Sequence, residues 1–453
     1  MKTLWAAVRQ MAVFVDRWQW AILLLASPWL LFPAPERSAI MLIVPTLWIV
    51  AGLAGRGCLP RTPLNASVLM LATMMLVSMY ATYDIAVSLP KISGLVLGFG
   101  VFFTVARLGG EQAWWFRIFA GLMALGVVIA AAGLLGTQWI NKIAFLSPIL
   151  NRLPTALRGL SGAEEGFHPN QVAGSLLWII PAMLMYTAQN RRLWWQRSAG
   201  ANRWYTIAVA SLSALSVLFV LSVFVLTQSR GGYIGLVAGL AVMLIVGIPK
   251  RWRKWLAVGM MITGLIGMGA LLSWGGAKTA TQTSRGSAAL SLDTLEGRLE
   301  VWSRAIYGIQ DFPFTGMGMN TFRHILPVIY PLFTLGPDVD IGHAHNEFLQ
   351  VALDLGLPGL IAFTALYLGA FAMVLHIWRA VRTVATPEIA ARRNFALGLG
   401  SALLAHLVYG LTDAVALGAK PGLAFWLVLG LIVGLFEQTQ PAPLPVTMAD
   451  HRS

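Results

Sequence analysis

Charge is what this chain has least of. Only 11% of its 453 residues are Asp, Glu, Lys or Arg, against about 25% in an ordinary soluble domain. At that scarcity no separate water-soluble domain is evident along the sequence. A single cysteine, Cys58, excludes an internal disulfide. There is no cysteine cluster and no His-Glu-x-x-His pair of the kind that signals zinc, and no repeat at a fixed period. Low complexity is confined to the Gly/Ala/Thr/Ser stretch from Gly275 to Ala289, which reads as a mobile part of a loop. The Pro-rich tail after Glu437 reads as disordered.

Apolar sequence is abundant. Hydrophobic residues make up 57% of the chain and the mean hydropathy is +0.72. Apolar runs of about 17–23 residues recur along the whole length, each long enough to cross a bilayer as a helix. About twelve spans are expected. They run from Trp18 to Phe32, Ala39 to Ala54, Ala66 to Thr82, Ala86 to Ala106, Phe116 to Gly136 and Gln171 to Ala188. The others run from Tyr205 to Gln228, Gly231 to Ile248, Trp252 to Trp274, Phe348 to Leu375, Phe395 to Leu411 and Gly422 to Phe436. The expected fold is therefore an all-α integral membrane protein, with residues 1–437 as one polytopic domain and 438–453 as a cytoplasmic tail. Pro33-Ala34-Pro35-Glu36 after the first run lacks a small-residue cleavage site, so that run reads as a retained span.

The formal charge of +14 points to topology rather than to nucleic acid. With the N-terminus inside, inner loops and tails carry 20 of the 32 Lys and Arg, among them Arg191, Arg192, Lys250, Arg251, Arg392 and Arg393. Both termini come out cytoplasmic. Two large polar loops, about 137–169 and 275–343 (the latter between spans nine and ten), come out on the far side.

The polar residues that remain gather at that far side. Ser229-Arg230-Gly231-Gly232 joins two apolar runs with almost no spacer, so the chain turns there and holds Arg230 at the interface. Arg230 is either a snorkelling anchor or a functional arginine. Gly297-Arg298-Leu-Glu-Val-Trp302-Ser-Arg304 reads as an amphipathic helix ending in a Gly-rich turn at Gly316 and Gly318. His343 and His345 share a face only on an extended segment. They suit a catalytic imidazole at His345, a structural role, or a metal pair assisted by Asp338 and Asp340. Glu347 and Asp354 either orient the imidazole or cap a helix. His345-Asn346 opens an apolar segment, placing the pair where a membrane helix meets water. Asn170 reads as an N-cap, with sugar or phosphate binding as the alternative. Lys91 and Arg304 are candidate substrate contacts, as are His343 and Asn346. A titratable imidazole with arginine forks, which bind phosphate oxygens bidentately, suits chemistry on a lipid-linked phosphate.

In this order, Ser229-Arg230-Gly231-Gly232, Gly297-Arg298…Trp302…Pro313…Gly316-x-Gly318 and His345-Asn346-x9-Gly356-x-x-Gly359 resemble the O-antigen ligase and polymerase superfamily of bacterial inner membranes. The resemblance spans roughly Thr227 to Gly359 together with the twelve-span layout. It implies a GT-C-like membrane fold and a metal-independent, inverting glycosyltransferase without a cofactor. The implied donor is a glycan on undecaprenyl diphosphate, and the implied acceptor is lipid A-core for a ligase or a growing glycan for a polymerase. It also carries the family's essential histidine onto His345, and its essential arginines onto Arg298 and Arg230. His343 is a second histidine beside that pattern. The rival reading is a transporter of the same lipid-linked glycans, which needs charge deep within several spans. A membrane scaffold would leave the clustered Arg and His without a role.

Overall fold

The computed structural model describes residues 2–109, 112–160, 166–197, 203–247, 251, 254–255, 295–335, 341–380 and 386–440. The expected ninth span, the Gly275–Ala289 stretch, Asp338, Asp340 and most of the tail lie outside them. Among the described residues the regular structure is helical, apart from one isolated bridge between Thr137 and Phe167. The helices are α1 (Lys2–Arg17), α2 (Gln19–Leu31), α3 (Ile43–Leu53), α4 (Asn65–Ala81), α5 (Ile85–Gly109), α6 (Gln112–Gly136), the single turn α7 (Ser147–Leu150), α8 (Pro169–Leu177) and α9 (Ile180–Arg197). They continue with α10 (Arg203–Leu226), α11 (Arg230–Gly247), α12 (Leu295–Asp311), α13 (Phe322–Ile329), α14 (Glu347–Ala380), α15 (Pro387–Gly410) and α16 (Leu423–Glu437). Among the described residues, six helical segments are long and apolar enough to cross a membrane, or seven if the bent α8–α9 pair is one span. The protein is thus a helical, multi-pass membrane protein.

Packing in the bundle relies on small residues, as expected where lipid removes the hydrophobic drive between helices. A Cβ on Gly235 would come within 2.4 Å of the Ala405 carbonyl, and one on Gly239 within 2.6 Å of the Ser401 carbonyl. These two glycines, four apart on α11, let its backbone lie against α15 and bring the Arg230 turn to the end of α15. On the other side of the bundle, Trp426 of α16 packs against Phe99 and Phe102 of α5, with ring centroids 5.1 and 6.2 Å apart.

The His-Asn pair does not begin a straight span. Gly356 breaks α14 with φ 69° and ψ 177°, a backbone region open essentially only to glycine. The chain reverses there. Phe348 and Phe363 have ring centroids 5.8 Å apart, whereas fifteen residues of continuous helix would separate them by about 22 Å. Glu347 and Tyr367 likewise meet on one atom, His406 Nδ1, at 3.2 and 3.3 Å. Residues 347–355 form a short arm folded back on the helix that follows. Glu347 and every residue from Gln350 to Gly356 are buried, and exposure begins at Leu357. Two backbone hydrogen bonds clamp the reversal to the Gly-rich turn after α12: Leu357 N donates to Pro313 O at 2.7 Å, and Met317 N to Leu353 O at 2.6 Å.

A second apolar cluster lies above the arm. Val301 and Ala305 of α12, Phe322 and Leu326 of α13, Met317, Ile341, Ala344 and Leu353 bury one another. The amphipathic helix expected around Arg298 exists as α12. Its apolar face makes this cluster and seats the segment that carries both histidines.

Candidate active site

Helix ends and one loop converge on Asp413, just past the C-terminus of α15. His345 Nδ1 lies 3.3 Å from Asp413 Oδ1 and His343 Nε2 3.8 Å from the same oxygen. Ala414 N also donates to Oδ1, at 2.9 Å. The second oxygen, Oδ2, accepts from Asn170 Nδ2 at 2.7 Å and sits 3.9 Å from Arg298 Nη2. Arg298 Nη1 also donates to Thr412 O at 2.5 Å. Asp413 is 2% exposed, so its charge is compensated by these neighbours rather than by water.

The electrostatics follow from that burial. Burial alone would raise the Asp413 carboxyl, but the His345 imidazole 3.3 Å away and the neighbouring His343 and Arg298 outweigh it. Asp413 is held well below the usual carboxylate range. Burial, then the neighbouring His345, push the His343 imidazole down to about 3, with Asp413 opposing and Lys91 and His168 adding to the fall. His343 is therefore neutral at physiological pH.

Each expected site residue has a definite place. His345 occupies a left-handed backbone position, φ 48°, and its N–H donates to His343 Nδ1 at 3.2 Å. The two rings are 4.4 Å apart. Asn346 caps the arm, its Oδ1 accepting from Phe348 N and Leu349 N at 3.0 and 3.1 Å, while Nδ2 donates to Leu411 O at 3.0 Å. Arg230 is exposed at the first position of α11. Its neighbour Gly231 would set a Cβ 2.8 Å from Thr412 Oγ1, the residue whose carbonyl Arg298 holds, so both arginines border the same turn. Lys91 lies on α5, where its charge acts on both His343 and Asp354.

Two expectations change, and one candidate residue sits apart from the cluster. Asn170 is not the N-cap of α8. His168 is, its side chain accepting from Asn170 N, which frees the Asn170 amide for Asp413. Neither Glu347 nor Asp354 pairs with the His345 ring: Glu347 pairs with His406, and Asp354 accepts from Gln350. Arg304 is occupied away from the cluster. It donates to Pro331 O at 2.9 Å, pairs with Glu300 at 3.7 Å and covers the Tyr307 and Phe333 rings. Six residues along α12, it is about 9 Å further up the helix than Arg298 and on another face.

Asp413 itself was missed in the sequence, where it stands as a lone carboxylate after an apolar run. The available signal was its position at a span end, where a charge needs a partner. His406, in the middle of an apolar run, carried the same signal. It is fully buried, stacked on Trp178 at 3.8 Å.

His343, His345 and Asp413 also offer three metal-ligand atoms within 4.8 Å of one another. The carboxylate in this group is Asp413; Asp338 and Asp340 lie outside the described residues. The same carboxylate already serves Arg298, Asn170 and the Ala414 amide, so a cation there would share it with a guanidinium.

Residues 214–364 match the family model described as O-Antigen ligase. This segment is similar to the O-antigen ligase family. The match covers roughly a third of the chain and contains Arg230, Arg298, His343, His345 and the Gly356 reversal. Lys91, Asn170 and Asp413 lie outside it and come near His343 and His345 only through the fold. No curated protein matches the chain.

Proposed function

We propose that the protein transfers a glycan from undecaprenyl diphosphate to a sugar hydroxyl at the extracytoplasmic face of the bacterial inner membrane, as an O-antigen ligase acting on lipid A-core. The observation that carries this reading is the pairing of His345 with the buried Asp413, bordered by Arg298 and Arg230. A carboxylate on Nδ1 holds the imidazole with its Nδ1–H toward Asp413 and leaves the Nε2 lone pair for the acceptor. The acceptor oxygen attacks the anomeric carbon as Nε2 takes its proton. The bond from that carbon to the diphosphate oxygen breaks, and the lipid diphosphate leaves. A single displacement of this kind inverts the anomeric centre. Arg298 and Arg230 stabilise the charge that develops on the diphosphate in a partly dry site, with Lys91 as a further phosphate contact and His343 and Asn346 beside the sugar. Two guanidinium groups supply the positive charge that a divalent ion would otherwise bring.

The rest of the reading follows the apolar runs, the charge pattern and the family resemblance. Residues 1–437 form a GT-C-like bundle of about twelve spans, both termini are cytoplasmic, and the α12–α13 region is extracytoplasmic. Polymerisation of the glycan is the same chemistry with a glycan acceptor. Deleting the gene separates the two. A ligase leaves lipopolysaccharide uncapped while polymer accumulates on the carrier lipid, whereas a polymerase leaves single-repeat caps.

A further inference from the structure

The stretch between the His-Asn pair and the Gly-x-x-Gly pair does more than connect them. His345 sits in a left-handed conformation that residues with a Cβ adopt at a cost, and such strain persists only where surrounding contacts impose it. One contact comes from the residue before. Ala344, fully buried, donates its N–H to Gln350 Oε1 at 2.8 Å. Gln350 Nε2 in turn donates to Asp354 Oδ1 at 2.9 Å, one turn along the arm. The Asn320 backbone N–H faces the same carboxylate and favours its charged form, and Asn320 Nδ2 donates to Val87 O of α5 at 2.8 Å. Gln350 and Asp354 are 2% and 1% exposed. A buried ladder thus runs from α5 through the Gly-rich turn and the arm to the peptide that precedes His345. The mechanism above uses none of its side chains.

We propose that Gln350 and Asp354 are positioning residues: together they hold the left-handed turn that aims His345 at Asp413. The inference rests on the reading of His345 as the base. Gln350 is suited to this because an amide offers an acceptor and a donor at once. Its oxygen takes the Ala344 N–H and its nitrogen reaches the carboxylate. A glutamate there keeps the acceptor but sets two carboxylates face to face. An asparagine at 354 restores a donor opposite that glutamate.

The test is therefore a swap, made in the full-length protein in detergent with a lipid-linked glycan donor. Gln350→Glu lowers kcat by at least about 10-fold with the donor KM unchanged, as loss of an orienting partner does. Asp354→Asn alone has a smaller effect, because its amide oxygen still accepts. The double variant Gln350→Glu/Asp354→Asn recovers most of the lost kcat. Thermal unfolding of each variant is followed alongside. A drop in KM-normalised activity that merely tracks lost folded protein, or no recovery in the double variant, overturns the proposal. So does wild-type kcat in Gln350→Glu. Normal turnover in His345→Ala would instead remove the base itself, an outcome the swap does not mimic.

Discussion

Asp413 is one carboxylate shared among five partners, and its variants separate the roles of its two oxygens. Asp413→Asn keeps the shape but presents an amide to two imidazoles and a guanidinium, so His345 loses the group that fixes its tautomer. Transfer falls by about 10²–10⁴-fold, the usual contribution of a general base, as measured in single turnover. Arg298→Ala costs about 10²–10³-fold in kcat, and Arg298→Lys recovers little of it, because an ammonium does not reproduce the fork that meets Asp413 and Thr412 O together. Full activity of Arg298→Ala would make it an ordinary interface anchor. The pH dependence is also specific. With its folded pKa at about 3 against 6.5 unfolded, His343 binds a proton in the unfolded chain first. It therefore favours the fold above pH 6.5, and that stability is lost as pH falls toward 3. His343 does not titrate between pH 5 and 8 in the folded protein, so an acid limb of the activity profile in that window persists in His343→Gln. Its disappearance in that variant would assign the titration to His343.

At the scale of elements, the reversal at Gly356 decides where the histidines sit. Gly356→Ala meets a glycine-only conformation, costing about 1–3 kcal/mol, and a Cβ 2.6 Å from the Phe314 carbonyl. The variant is expected to unfold at lower temperature in detergent and to lose activity, and a wild-type melting temperature would show that the break is not needed. The sequence pattern conveyed these elements unevenly. Apolar runs of bilayer length located α4, α5, α6, α10, α11 and α16 to within a few residues, because burial in lipid demands continuous hydrophobicity. The fold-back of α14 was hidden for the same reason. An arm buried in protein is as apolar as a span, and only the Gly356-Leu-Pro358-Gly359 cluster marks the turn. Arg230, Arg298 and His345 were legible because each interrupts apolar sequence beside glycine or a helix start. Asp413, Asn170 and Gln350 were not, because their partners lie far along the chain or their side chains are ordinary where they occur.

For the whole molecule, the account requires the cluster and the region of α12 and α13 to face away from the cytoplasm. Val328, 79% exposed, replaced by cysteine in a chain with Cys58 changed to serine, is expected to react with a membrane-impermeant thiol reagent in intact spheroplasts. Cys58, exposed in the native chain, is expected to react only after lysis. The reverse pattern would put the site on the wrong face. Removal of divalent ions with EDTA is expected to leave transfer unchanged, whereas loss restored by one metal would turn His343, His345 and Asp413 into its ligands. The most direct test of the central claim is His345→Ala, assayed with purified lipid-linked donor and acceptor alongside donor binding. The account predicts that transfer is lost while the donor still binds, since Arg230 and Arg298 remain. Near-normal turnover by His345→Ala would contradict it.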